Sequence, residues 1–450
     1  MTPVEGGQYT GPTPGTTAPR ARTSMSSHAP LDLDLQQHTL DNGLRVVLGR
    51  AASLPLTAVN LWYHVGSKNE RPGRTGFAHL FEHMLFQGSE HVGTNEHFRK
   101  IQEVGGVANG STWYDRTNYY ETVPAHELDL ALWLESDRMG FFLPALTQEN
   151  LDTQRDVVMN ERRQRVENQP YGAAGEMINE LLYPSSHPYH WPVIGYMDDI
   201  AAATLEDVRT FFRGYYTPNN AVISVVGDIV PEEALERVAA WFGEIPPGPP
   251  VPPVTPSLSP LGGERRAVLP DDVRLPRVYV GFRAPAYGQR SWYTADLLAA
   301  VLAGGKSSPL YRDLVYERQI AQDVGVSVGP QEAGGSFTLV ATARSGVPAD
   351  ALEESLVGHL AAAAARPPDE ADFDRARNRM LTDYFSGLQR LDTVADLLSQ
   401  FATYFDDPAG ALAEADRYLE ITPAELMEYA AAWCAEGQRV VVSVVPRKAS

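Results

Sequence analysis

The sequence predicts an α+β protein made of two homologous halves, each a sheet with helices packed on it, joined by a Pro-rich linker. Three observations carry this. Val59-Asn60-Leu61-Trp62-Tyr63 matches Val278-Tyr279-Val280-Gly281-Phe282, an offset of 219 residues (278 − 59). Thr204 to Val226, a helix followed by Val-Ile-Ser-Val-Val, matches Thr422 to Val445, a helix followed by Val440-Val441-Val442-Ser443-Val444-Val445. Between the copies, residues 244–263 hold eight prolines (Pro246, Pro247, Pro249, Pro250, Pro252, Pro253, Pro256 and Pro260), a composition for an extended, semi-rigid linker. The expected bounds are a tail over 1–32, a first half over 33–243, a linker over 244–264 and a second half over 265–450.

At 450 residues the chain exceeds one ordinary core, and 43% hydrophobic with 21% charged residues is a globular composition. A net charge of −20 argues against a nucleic-acid partner, because phosphate binding needs a basic footprint. Cys434 is the one cysteine, so neither an internal disulfide framework nor a cysteine-rich zinc site is possible. No apolar run approaches the ~18–20 residues of a membrane span. The first residues, rich in Thr, Pro, Gly, Ser and Ala, lack the apolar stretch of a secretory signal and read as a disordered tail. The expected compartment is the cytoplasm.

Along the chain, His38-Thr39-Leu40 and Leu44 to Leu48 flank Asp41-Asn42-Gly43, a hairpin signal. Leu56 to Val65 has strand length and ends at Gly66. A loop over Ser67–Thr75 leads into an apolar helix over Gly76–Phe86. Glu96 to Val104 reads as a short helix, broken by Gly105-Gly106. Val107 to Trp113 follows as a polar, glycine-containing strand, weak in mid-sheet. It suits an edge, where an extended peptide can pair with its backbone, or else it is a plain loop. Residues 126–142 form a helix with Leu128, Leu132, Glu135 and Met139 on one side, and 149–168 form a charged one. Leu205–Phe212 is helical and Ala221–Gly227 is a buried strand.

The helix over 76–86 contains His79-Leu80-Phe81-Glu82-His83, the zincin motif His-Glu-x-x-His reversed. Four residues apart on a helix, His79 and His83 project from one face, where two imidazoles can reach one zinc ion at about 2.0–2.1 Å. Glu82 leans toward the same side and can bond a metal-bound water. The competing reading is an amphipathic core helix carried by Phe77, Leu80, Phe81, Met84 and Leu85. The repeat supplies a control: the 219 offset puts Leu298, Val301 and Leu302 at the positions of His79, Glu82 and His83. One copy has an apolar helix there, so the fold does not require His or Glu. Only the first half is a candidate metal site.

Glu161 lies four residues after Val157 and three after Val158, on their apolar helix face. An inward-directed acid needs a partner, and either a metal or an arginine would serve. His187 and His190 flank Pro188 and precede Pro192, so they are read as structural rather than as a helical ligand pair.

With these residues in place, the chain resembles the pitrilysin/insulinase family of zinc peptidases over about residues 37–446. The resemblance is carried by Trp62-Tyr63-His64-Val65-Gly66-Ser67, by Gly76 through His83, by Asn109-Gly110-Ser111-Thr112 and by Asn160-Glu161-Arg162-Arg163. Later landmarks are Tyr216-Thr217-Pro218-Asn219-Asn220 through Gly227-Asp228, and Gly304-Gly305-Lys306-Ser307-Ser308. It implies mainly antiparallel sheets arranged as half of a clamshell. It also implies one Zn2+ per chain on His79, His83 and Glu161, with Glu82 as general base in peptide-bond hydrolysis. The strand Ala108, Asn109, Gly110, Ser111 and Thr112 would receive the substrate as an added strand.

Two departures from the family pattern stand out. Gln154 occupies a place, seven residues before Glu161, where relatives often carry an acid. Val315 and Gln322 stand where active relatives carry an Arg and a Tyr that hold substrate, and Tyr311, Arg312 and Arg318 have the wrong spacing. The expectation is a zinc endopeptidase working with a second same-fold subunit that supplies the Arg/Tyr pair, or else a homodimer. The alternative is a non-catalytic peptidase-fold subunit serving peptide binding or complex assembly.

Overall fold

The computed structural model describes residues 33–447. The tail expected over 1–32 lies outside the described residues. The chain runs β1 (Asp34–Thr39), β2 (Arg45–Arg50), β3 (Leu56–Tyr63), α1 (Phe77–Met84), α2 (Glu96–Glu103), β4 (Val107–Thr112) and β5 (Thr117–Pro124). Then come α3 (Leu128–Ala145), α4 (Gln148–Arg162), α5 (Ala174–Leu182), α6 (Met197–Ala201), α7 (Leu205–Tyr215), β6 (Ala221–Gly227) and α8 (Pro231–Phe242). No helix or strand interrupts residues 244–264, as their prolines predict.

After that segment the pattern recurs as β7 (Arg265–Asp271), β8 (Arg277–Arg283), α9 (Arg290–Ala303), β9 (Ala321–Val328) and β10 (Ser336–Ala343). It ends with α10 (Ala349–Ala365), α11 (Glu370–Gly387), α12 (Leu391–Phe405), α13 (Glu414–Leu419), α14 (Pro423–Trp433) and β11 (Arg439–Pro446).

The repeat read from sequence is a repeat of topology. The first sheet has the order β1-β2-β6-β3-β5-β4 and the second β7-β11-β8-β10-β9, the same arrangement without a counterpart of β1. Each sheet is antiparallel except for one parallel pair, β2 with β6 and β7 with β11. The helices α1 and α9 end at Met84 and Ala303, again 219 apart (303 − 84). Leu298, Val301 and Leu302 are buried in the second core, as an apolar copy of the motif helix requires.

Strand alternation sorts side chains into layers. Val59, Leu61 and Tyr63 of β3 point into the core beneath α1, with Ile223 and Val225 of β6. Ala58, Val222 and Val226 point the other way, against Val394, Leu398 and Phe401 of α12. Thus a helix from the second half covers the outer face of the first sheet. Reciprocally, Ala174, Ile178 and Leu182 of α5 pack on Val440, Val442 and Val444 of β11. This exchange of helices is not visible in the repeat itself. Separating the two sheets would strip the cover from both outer faces, so the hydrophobic effect binds the halves together.

Candidate metal centre

The motif helix is short, eight residues, and its start is held by remote groups. Gly76 precedes it with φ +84°, and a Cβ there would come within 2.6 Å of the Ile194 carbonyl oxygen. No side chain at the cap position serves the first N–H groups. Glu70 does so from the preceding loop: its carboxylate accepts from Gly76 N–H and Ala78 N–H, both at 2.8 Å. Asp199 accepts from the Thr75 amide and hydroxyl at 3.1 and 2.7 Å. Glu70→Ala is expected to lower stability by about 1–2 kcal/mol, the cost of an emptied helix cap, read by urea unfolding.

His79 and His83 sit on one face of α1 with ring centroids 4.8 Å apart. Glu161, at the end of α4, brings Oε2 to 3.2 Å from His83 Nε2 and 3.7 Å from His79 Nε2. Burial and the neighbouring His83 push the His79 imidazole down to about 4, so at neutral pH it keeps a free lone pair. Burial opposes ionisation of Glu161, but the hydrogen bond from His83 and the nearby cationic groups prevail and hold its carboxyl below the usual range.

The two oxygens of Glu161 face different partners, Oε2 turning toward the two imidazoles. Arg165 binds its other oxygen, Oε1, at 2.6 Å from an exposed position one turn on. Its apolar neighbours are only partly those expected: Val158 is buried, but Val157 is 41% exposed. The face that carries Glu161 inward is that of Leu151, Gln154 and Val158, spaced at three and four residues. The helix expected over 149–168 is α-helical only to Arg162 and widens over Arg163–Glu167. Gln154 is buried but makes no hydrogen bond to His79, His83 or Glu161.

The three side chains pass a geometric test for a tetrahedral metal. Donors at about 2.0–2.1 Å from zinc stand about 3.4 Å apart across a tetrahedral angle. The observed 3.2 and 3.7 Å bracket that value, and all three ligand atoms lie within 4.8 Å of one another. His79 Nδ1, buried without a hydrogen-bond partner, departs from the outer-shell support such ligands usually receive.

Glu82, on the same helix, is held from the side of the sheet. Thr112 Oγ1 donates to Glu82 Oε2 at 2.6 Å. Burial raises the Glu82 carboxyl above its ordinary range, and the Thr112 hydrogen bond opposes that rise. Gly110 makes room for the Glu82 stem, since a Cβ there would lie 3.3 Å from Glu82 Cγ.

Residues 107–112 form an edge strand, paired only with β5, rather than a loop. The ladder continues with Trp113 N–H donating to the Arg116 carbonyl. By alternation Ala108, Gly110 and Thr112 turn their backbone groups outward. The Gly110 N–H is held at 2.9 Å by the Asn109 side chain, so a docking strand must displace that contact.

A second His/Glu cluster has no place for a metal. His97, Glu121 and Glu135 converge, fully buried, behind α1. Arg138 Nη2 fills the centre, 3.2 Å from Glu121 Oε1, 3.1 Å from His97 Nε2 and in contact with Glu135. Its guanidinium also lies over the Tyr119 and Phe86 rings, at 4.2 and 4.9 Å. Sequence reading placed Glu135 on one side of its helix with Leu128, Leu132 and Met139 but did not find its partners, which come from three other positions. His187, read as structural, is buried and stacks on Tyr183 with centroids 4.5 Å apart. In the second half, Val315 is buried and Gln322 exposed, while Arg312 and Arg318 pair with Asp372 and Asp313.

Fold and site together define a two-halved α+β protein of the metallopeptidase class. Residues 45–187 match the family model described as Insulinase (Peptidase family M16), and residues 202–380 match that described as Peptidase M16 inactive domain. The chain is 30% identical over 417 residues to the zinc protease PqqE of Helicobacter pylori, covering 91% of this chain and 92% of that protein. It therefore belongs to the insulinase family, peptidase family M16. The crystal structure of a protease from Helicobacter pylori matches at TM-score 0.87 and 29% identity, over 92% of this chain and all of that one. The periplasmic protease PqqL from Escherichia coli shares the fold, at TM-score 0.73 and 19% identity, over 92% of this chain and 48% of PqqL.

Proposed function

We propose that the chain is a zinc endopeptidase that hydrolyses peptides or unfolded polypeptide segments bound as an added strand on β4. The observation that carries this is the convergence of His79, His83 and Glu161 beside Glu82, which itself touches the free edge strand through Thr112. His79, His83 and Glu161 would hold the ion, one per chain, with Glu82 left free for proton transfer. When bound, zinc supplies Lewis-acid polarisation of the scissile carbonyl and acidifies water.

Glu82 accepts the proton of the attacking water and delivers it to the leaving amine. A carboxyl raised by burial suits both directions, because it binds the proton and can release it again. Ala108, Gly110 and Thr112 fix the peptide by main-chain hydrogen bonds, which favours extended segments of varied sequence. Glu161→Gln is expected to weaken zinc binding by about 10²-fold or more, read by competition with a chromophoric chelator. Chelation should abolish cleavage and added zinc restore it.

Val315 and Gln322 favour a two-chain enzyme in which a same-fold partner supplies the Arg/Tyr pair, with a homodimer as the other arrangement. Co-purification tests this: a purified single chain that cleaves as fast as any mixture with such a partner would defeat it. The same two residues favour the competing reading, a non-catalytic subunit serving peptide binding or assembly. A native chain without zinc would favour that reading over the enzyme. No helix of the described residues is long and apolar enough to cross a membrane. We place the chain in the cytoplasm; fractionation finding it in another compartment would correct this.

A further inference from the structure

A strand lying on β4 presents alternate side chains to opposite faces of the first sheet. One set meets α1, where Gly110 opens onto Glu82. The other set meets a pocket of about 210 Å³ on the reverse face, between the sheet and the first turns of α12. Ser111 of the edge strand lines this pocket, with Arg116, Asn118 and Tyr120 of the first half and Asp392 and Asp396 of the second. The residues that line it are all polar types, unlike those of the cores.

Its two central charges lack ionic partners among the described residues. Asp396 accepts three hydrogen bonds, all on Oδ1, from neutral donors: Trp62 Nε1 at 2.8 Å, Asn118 Nδ2 at 3.0 Å and Asn60 Nδ2 at 3.2 Å. Its other oxygen has no hydrogen-bond partner there. Arg116 spends Nη1 on Ser111 and Asn118 oxygens, at 2.6–3.0 Å, and pairs with no carboxylate. Asp392 is already engaged by Arg390. The pocket thus offers an unspent guanidinium N–H and an unspent carboxylate oxygen, with opposite charges in balance.

We infer that this pocket is a specificity site for a carboxamide side chain, Gln or Asn, of the bound peptide. The amide oxygen accepts from Arg116 and the amide N–H donates to Asp396. A lysine would meet Arg116, a glutamate would meet the two aspartates, and an apolar side chain would leave both charges desolvated and unpaired. The inference rests on the reading of β4 as the peptide-binding edge.

The test uses Glu82→Gln chain, which should bind without cleaving, together with any partner subunit that co-purifies. Labelled peptides differing only by Gln, Leu, Lys or Glu at each successive position are titrated by fluorescence anisotropy. Gln should bind about tenfold tighter than the other three, only at alternate positions. Arg116→Gln should reverse the order of Gln and Lys by leaving Asp396 uncompensated, whereas Arg116→Lys should keep Lys disfavoured. Equal affinities at every position, or an order unmoved by Arg116→Gln, would overturn the inference. The intended ranking without cleavage by the native chain would overturn the hydrolase and leave the pocket standing. No binding of any peptide would overturn both.

Discussion

Glu82→Gln is expected to lower peptide hydrolysis by about 10³-fold while the chain retains one zinc ion. The two halves of this result come from different side chains. On the proposed reading zinc retention would rest on His79, His83 and Glu161, whose ligand atoms lie within 4.8 Å of one another. Cleavage would rest on Glu82, which is engaged by Thr112 on the strand side. Glutamine is nearly isosteric, keeps an oxygen for the Thr112 hydroxyl and cannot carry a proton away. Metal analysis alongside turnover of an unfolded polypeptide separates the outcomes. Joint loss of zinc and cleavage would make Glu82 a metal ligand or a support for one. Unchanged cleavage would place the general base elsewhere.

The motif helix was legible because four-residue spacing is a property of the helix itself, independent of the rest of the fold. The edge strand was legible as one of two alternatives, since a weak, polar, Gly-containing run is expelled from mid-sheet. Glu161 was only half legible. Its inward direction followed from periodicity, but the neighbour Val157 proved exposed, and its two oxygens face His83 and Arg165 separately.

What supports the site was not legible, for a common physical reason. Glu70 serves α1 from a loop, where no helical or strand period reveals which N–H groups an acid will meet. Thr112 reaches Glu82 across thirty residues, by way of sheet pairing. The exchange of α5 and α12 between sheets leaves no periodic trace either, because an apolar helix face does not say which sheet it covers. Asp396 illustrates this. In sequence it is an acid within an amphipathic helix of the second half, yet it accepts from Asn60, Trp62 and Asn118 of the first.

Arg138→Met is expected to destabilise the protein by about 3–5 kcal/mol, the cost of stranding buried charge. Arg138 is 1% exposed and is the cation shared by Glu121 and Glu135, both fully buried. Burial, and then the charge of Glu135, already raise the Glu121 carboxyl well above its usual range. Removing the guanidinium takes away the attraction that opposes this rise, so the folded-state value climbs further. An acid raised on folding loses stability as pH rises from its unfolded value through its folded one. The deficit of Arg138→Met should therefore grow with pH between the native folded value of Glu121 and the higher one of the variant, as urea unfolding over a pH series would show. Adding Glu121→Gln and Glu135→Gln should recover part of the loss and flatten its pH dependence, because no buried charge is then left without a partner. A deficit under about 1 kcal/mol, unchanged across the pH series, would mean that water reaches this cluster. The packing of Phe86 against the guanidinium carries the effect toward the motif helix, so the single variant should also hold zinc less tightly than the triple one.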